Sequence, residues 1–98
     1  MITLSGELDL ASSAALEEEL ERTVASGTDG VVVDLRELEF MDSTGLSTLV
    51  KAHQSAEGHG KQFGVVRGPA QVQRLLSLTG VEDRLRFADT PEELFDED

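Results

Sequence analysis

Hydrophobic and polar positions alternate at the start of the chain, with Ile2, Leu4 and, after a glycine, Leu8 on one side, which predicts a short strand over residues 2–8. A polar turn begins at Asp9. Ser12 or Ser13 can cap a first helix, with Glu17, Glu18 and Glu19 favoured near its positive end. Leu16, Leu20 and Val24 recur at i, i+4 and i+8, and Ser26-Gly27 closes that helix, as a left-handed C-terminal glycine commonly does. Val31-Val32-Val33-Asp34-Leu35 reads as a strand covered on both faces, typical of a parallel sheet. Arg36 to Met41 then connects it to Asp42-Ser43-Thr44-Gly45, a helix-start signature. Leu46, Leu49, Val50 and His53 share the face of a second helix that ends at Gly58-His59-Gly60. Phe63, Val65 and Val66 form a third strand, and Gly68-Pro69 opens a third helix with Val72, Leu75 and Leu76 inward and Gly80 as its stop. Leu85-Arg86-Phe87 is a fourth strand, and Thr90-Pro91 begins a final helix with an acidic end.

The order βαβαβαβα with short connections predicts a single α/β domain over residues 1–98, with right-handed crossovers, a mainly parallel sheet and alternating helices packed on it. Ligands and partners of such sheets meet the loops at the carboxyl ends of strands. Asp9, Asp42 and Arg67 all fall in such loops, so one face of the domain is expected to collect them.

Composition narrows the function classes. The 98 residues contain no cysteine, so disulfides, thiolate metal sites and cysteine nucleophiles are excluded. The net charge is −12, with two basic against eleven acidic residues in 1–50 and six against nine in 51–98. Such a chain repels phosphate backbones, and without Trp or Tyr it offers no stacking platform, so direct nucleic-acid binding is not expected. An acidic surface suits solubility or a partner with a basic face. No apolar run reaches the ~20 residues of a transmembrane helix and no signal peptide is visible, so a cytoplasmic protein without membrane contact is expected.

No phosphate-binding glycine loop follows a strand, so no nucleotide cofactor is expected. A serine hydrolase would need a base near Ser43. His53 lies ten residues down the same helix, and the context Met41-Asp42-Ser43-Thr44-Gly45 is not a nucleophile elbow. His53 and His59 lack metal-ligand spacing and a third ligand. Asp34 reads as a polar strand member satisfied by a neighbour rather than a phospho-acceptor. The sequence therefore predicts no catalytic residue, no metal and no enzyme. Asp42-Ser43-Thr44-Gly45-Leu46 keeps two compatible readings. It is a helix cap, or Ser43 is a regulated hydroxyl whose phosphate would add about −1.5 to −2 charges at a helix N-terminus.

Leu4-Ser5-Gly6-Glu7-Leu8-Asp9, Val31-Val32-Val33-Asp34-Leu35 and Phe40-Met41-Asp42-Ser43-Thr44-Gly45-Leu46 together resemble the STAS domain of bacterial anti-sigma factor antagonists. The resemblance continues through Val65-Val66-Arg67-Gly68-Pro69-Ala70 and Leu75-Leu76-Ser77-Leu78-Thr79-Gly80-Val81, covering nearly the whole chain. It implies a partner-switching role in transcription regulation. The unphosphorylated antagonist binds an anti-sigma factor serine kinase and frees the sigma factor. The kinase phosphorylates the serine after the motif's aspartate, here Ser43 (with Thr44 the minor site), and a metal-dependent serine phosphatase restores it. Asp9, Asp42, Ser43, Thr44 and Gly45 are the partner-binding positions that the resemblance implies. A STAS subunit of another assembly, such as a lipid-transport complex or a stress-sensing scaffold, is the alternative, and a small nucleotide-binding or hydrolytic enzyme comes third. Family members usually carry one more strand before the segment beginning at Ile2. Without it the first strand would be an exposed edge, able to template a dimer.

Overall fold

The computed structural model of the protein describes residues 2–27 and 30–95. Strands β1 (Ile2–Leu8), β2 (Gly30–Met41), β3 (Gln62–Val66) and β4 (Arg86–Ala88) alternate with helices α1 (Leu10–Ala25), α2 (Ser43–Gly58), α3 (Ala70–Leu78) and α4 (Pro91–Phe95), and a single 3-10 turn (Val81–Asp83) precedes β4. The sheet order is β1-β2-β3-β4 and every pair is parallel, as the alternating strand–helix pattern predicts. With the strands in sequential order, crossovers of one hand place α1, α2 and α3 on one face. There the stripes Leu16/Leu20/Val24, Leu46/Leu49 and Val72/Leu76 pack with Val31, Val33, Leu35 and Val65 in one core cluster. The opposite face is only partly covered: Leu94 of α4 packs with Val32, Val66 and Ala88, close over Gly64. The continuous apolar run of β2 is thereby explained, since both of its faces are buried at Val31–Val33.

The segment Arg36 to Met41, expected to be a connection, instead continues β2. The buried residues Leu35, Leu38 and Met41 in this half of β2 are spaced by three, which no regular strand can bury on one side. Pairing with β1 resolves this. Between Thr3 and Ser5 the partner advances from Asp34 to Glu37, and between Gly6 and Glu7 from Leu38 to Phe40, so β2 takes one extra residue twice. Each insertion changes the strand's phase. Leu35, Leu38 and Met41 all turn into the core, and Phe40 is left half exposed.

Three local expectations at α1 are corrected. The cap is Asp9, not Ser12 or Ser13: its carboxylate accepts from the backbone N–H groups of Ala11 and Ser12. The Ser12 hydroxyl accepts from the Asp9 N–H in return, completing a reciprocal capping box. With the helix starting at Leu10, Glu17–Glu19 lie in its middle, and the first turn holds no acid. Gly27 does not take the left-handed conformation, which occurs at Gly6, Gly60 and Gly80. The helix stops through Ser26, whose N–H and hydroxyl both donate to the Thr23 carbonyl. Pro69 stands at the N-cap of α3, and Gly80 ends that region with φ of 77°. The acidic end beyond Phe95 lies outside the described residues.

Candidate functional site at the start of the second helix

Leu8 is paired with Met41 in adjacent parallel strands, so the chain leaves both at the same level of the sheet. The Asp42 N–H donates to the Leu8 carbonyl at 3.1 Å and ties the two exits together. Asp9 and Asp42 therefore emerge side by side, about one strand spacing (~4.8 Å) apart along the sheet. Both are helix N-caps. Asp42 Oδ1 accepts from the Thr44 N–H at 2.9 Å and the Gly45 N–H at 3.1 Å, so two of the four orphan donors of α2 are satisfied by the carboxylate.

Ser43 is the first residue of α2 and is exposed. With Asp42 acting as cap, its hydroxyl is not needed to start the helix. Thr44 is half-buried, and its carbonyl accepts from Thr48 Oγ1 at 3.1 Å. Gly45 is buried. A Cβ there would stand 2.7 Å from Leu8 Cγ and 2.9 Å from Met41 Cγ. Its close approach is thus to the protein's own core, and it shapes the site by letting the first turn of α2 sit directly on the ends of β1 and β2.

Arg67 is not brought to this place. β3 pairs with the first half of β2, its last residue Val66 facing Asp34, whereas Leu8 faces Met41 seven residues later. Two of those seven are insertions, so the span matches five residues of β1, and at ~3.3 Å per residue the carboxyl ends of β1 and β3 are offset by roughly 16 Å. Arg67 instead pairs with Asp89 at 2.8 Å and stands 6.0 Å from the Phe87 ring centroid. The expectation that one face collects Asp9, Asp42 and Arg67 therefore holds only for the two aspartates.

Neither histidine stands by Ser43. His53 is ten residues further along α2, about 15 Å at 1.5 Å per residue. Its ring meets Phe63 edge-on at 5.8 Å between centroids, and its Nε2 lies 3.3 Å from Glu57 Oε1. Exposed His59 faces the Ser55 carbonyl through Nδ1. Among the described residues, no three His, Asp or Glu side chains are grouped to hold a metal ion. Nor is any helix long and apolar enough to cross a membrane. Asp34 is satisfied by a neighbour, as expected: buried in the sheet, it accepts from Arg36 Nε and Nη2 and from the Arg36 N–H. The side-chain hydrogen bond from Arg36 outweighs burial and holds its carboxyl below the ordinary value.

Sequence reasoning did not single out Phe40 as a surface residue. The spacing of three between Leu38 and Met41 signals only an irregular strand, and which side chain turns outward is set by the pairing with β1.

The family model described as "Mlab, STAS domain" matches residues 1–87. The anti-sigma-F factor antagonist RsfB of Mycobacterium tuberculosis is 33% identical over 90 residues, spanning 92% of this chain and 73% of RsfB. An anti-sigma-B factor antagonist of Staphylococcus aureus is 30% identical over 82 residues, 84% of this chain and 76% of that protein. The crystal structure of an anti-sigma factor antagonist from Mycobacterium paratuberculosis superposes with a TM-score of 0.81 at 34% identity, covering 93% of this chain and 77% of that one.

Proposed function

The chain belongs to the STAS domain family, and from that premise we propose that it is an anti-sigma factor antagonist switched by phosphorylation at Ser43. In the unphosphorylated form it docks on an anti-sigma factor serine kinase through Asp9, Asp42, Ser43 and Thr44, and the sigma factor is freed. Gly45 acts from beneath by seating the helix start. Ser43 is a substrate in this scheme, and the protein itself performs no catalysis.

The observation that carries the reading is the division of labour at the start of α2. Asp42 caps the helix while the neighbouring Ser43 stays exposed, so a kinase can modify the hydroxyl without dismantling the fold. The helix dipole favours a phosphate there by about 0.3–1 kcal/mol, offset by repulsion from the Asp42 carboxylate that already holds the first N–H groups. Release then comes from the interface, where the partner loses hydroxyl contacts. A metal-dependent serine phosphatase completes the cycle. The edge position of β1 is consistent with pairing between two copies, which light scattering would measure.

Incubation with the cell's anti-sigma kinases and ATP, followed by mass spectrometry, tests the proposal. Phosphate is expected on Ser43, with Thr44 as the minor site. Phosphate elsewhere and on neither residue would sink the mechanism. The family model's description, which names Mlab and no antagonist, favours one second reading, a STAS subunit of another assembly. Stable capture by such an assembly with no kinase complex would select it.

A further inference from the structure

We infer that Phe40 is the apolar anchor of the docking surface, and that the kinase surface facing it is an apolar recess rimmed by basic side chains. The inference rests on the reading that a kinase engages Ser43, and it adds a residue and a partner chemistry to that site.

Phe40 is 49% exposed, whereas Phe63 is buried in the core at 4%. Its direction follows from the two insertions in β2. Leu8 and Met41 point to α2, where they meet Gly45, so the preceding pair, Glu7 and Phe40, points to the other face of the sheet. Among the described residues, α4 covers that face over Val32, Val66 and Ala88. The half formed by β1 and the end of β2 presents Thr3, Ser5, Glu7 and Phe40, all exposed. Folding does not require an aromatic ring at this position, because Leu35, Leu38 and Met41 already fill the inward side.

Isolated apolar residues on a surface are ordinary. Phe40 differs in its surroundings. It lies three residues before Ser43, within ~10 Å along the chain. Exposed Glu7 faces it across the strand pair, and exposed Glu37 and Glu39 flank it on β2. The nearest cation on the strand, Arg36, is bound to both carboxylate oxygens of Asp34 and also feels Glu37, so its single charge is shared among several acids and the surroundings of Phe40 stay acidic. An aromatic side chain in a field of one sign matches a partner pocket that is apolar at its centre and basic at its rim. Aromatic residues are typical interface anchors, and complementary rim charge steers encounter and is weakened by salt.

The test measures affinity for the anti-sigma kinase that phosphorylates Ser43, at low and high salt, with thermal melts of each variant. Phe40→Ala is expected to bind at least tenfold more weakly (about 1.4 kcal/mol) with an unchanged melting temperature, and Phe40→Leu to recover most of the affinity. Glu37→Lys and Glu39→Lys, both at exposed positions, are expected to weaken binding several-fold and to reduce its salt dependence. Wild-type binding that Phe40→Ala leaves within twofold overturns the anchor. Binding indifferent to salt and to both charge reversals overturns the basic rim. A wild type that captures no kinase overturns the antagonist reading and this inference with it.

Discussion

Gly45→Ala sets two physical effects against each other with opposite signs, which makes its stability change informative. Alanine in a helix is favoured over glycine by about 0.5–1 kcal/mol, so propensity alone predicts a more stable protein. Packing predicts the reverse. The added carbon would stand 2.7 Å from Leu8 Cγ, 2.8 Å from Leu8 Cδ2 and 2.9 Å from Met41 Cγ. Carbon atoms pack at about 3.5–4.0 Å, so both side chains must retreat by on the order of 1 Å. Neither has room to spare, Leu8 being 3% and Met41 5% exposed. Overpacking of this kind costs about 1–3 kcal/mol. The net effect is a loss of about 1–2 kcal/mol, or a fall in melting temperature of about 5–15 °C for a domain of this size. Calorimetry or circular dichroism would read it. Gly58→Ala at the other end of α2, where a Cβ meets nothing within 4 Å, serves as the control and should hold or raise the melting temperature. If Gly45→Ala stabilises the protein as Gly58→Ala does, the packing argument is wrong. Because the close approach is internal, Gly45→Leu should damage folding itself rather than binding alone.

Three further outcomes are expected. Asp42→Ala removes the acceptor of two helix N–H groups and should cost about 1 kcal/mol in denaturant unfolding, while Ser43→Ala, at an exposed N1 position, should cost less than about 0.5 kcal/mol. Ser43→Ala should also bind the kinase persistently in the presence of ATP, and loss of the complex over the time course in which wild type is phosphorylated would contradict the switch. Asp34 has a lowered pKa in the folded state, chiefly through its side-chain hydrogen bond to Arg36, so its pairing contributes stability above the unfolded value of about 3.9 and loses it as pH falls through the folded value. Asp34→Asn should therefore lower stability at pH 7 by about 1–3 kcal/mol and reduce the loss between pH 4 and more acidic conditions. An unchanged acid limb in urea unfolding would show that other carboxylates carry it.

Much of this molecule is written in short-range patterns. The i, i+4, i+8 leucine stripe of α1, the β-branched centre of β2 and the alternation of β1 each reveal their element, because a helix or strand buries a side periodically and the period is local. The motif Asp42-Ser43-Thr44-Gly45 likewise marks a helix start, since capping involves residues within three positions of one another. What the tertiary structure decided depends on pairing between distant segments. Arg36–Met41 has no regular period and becomes strand only when β1 supplies a partner that accommodates two inserted residues. That pairing sends Phe40 outward and Met41 inward, a choice that spacing in one segment could not make. The offset between β1 and β3 along β2 is also a matter of register, and it separates Arg67 from Asp42 although both follow strands. The same holds for Gly45. Its place in a helix start was legible, but the reason for a glycine was not, because the atoms that exclude a Cβ belong to Leu8, 37 positions away, and to Met41. Periodicity reports which side of an element is buried, and only the register between elements determines what each residue meets there.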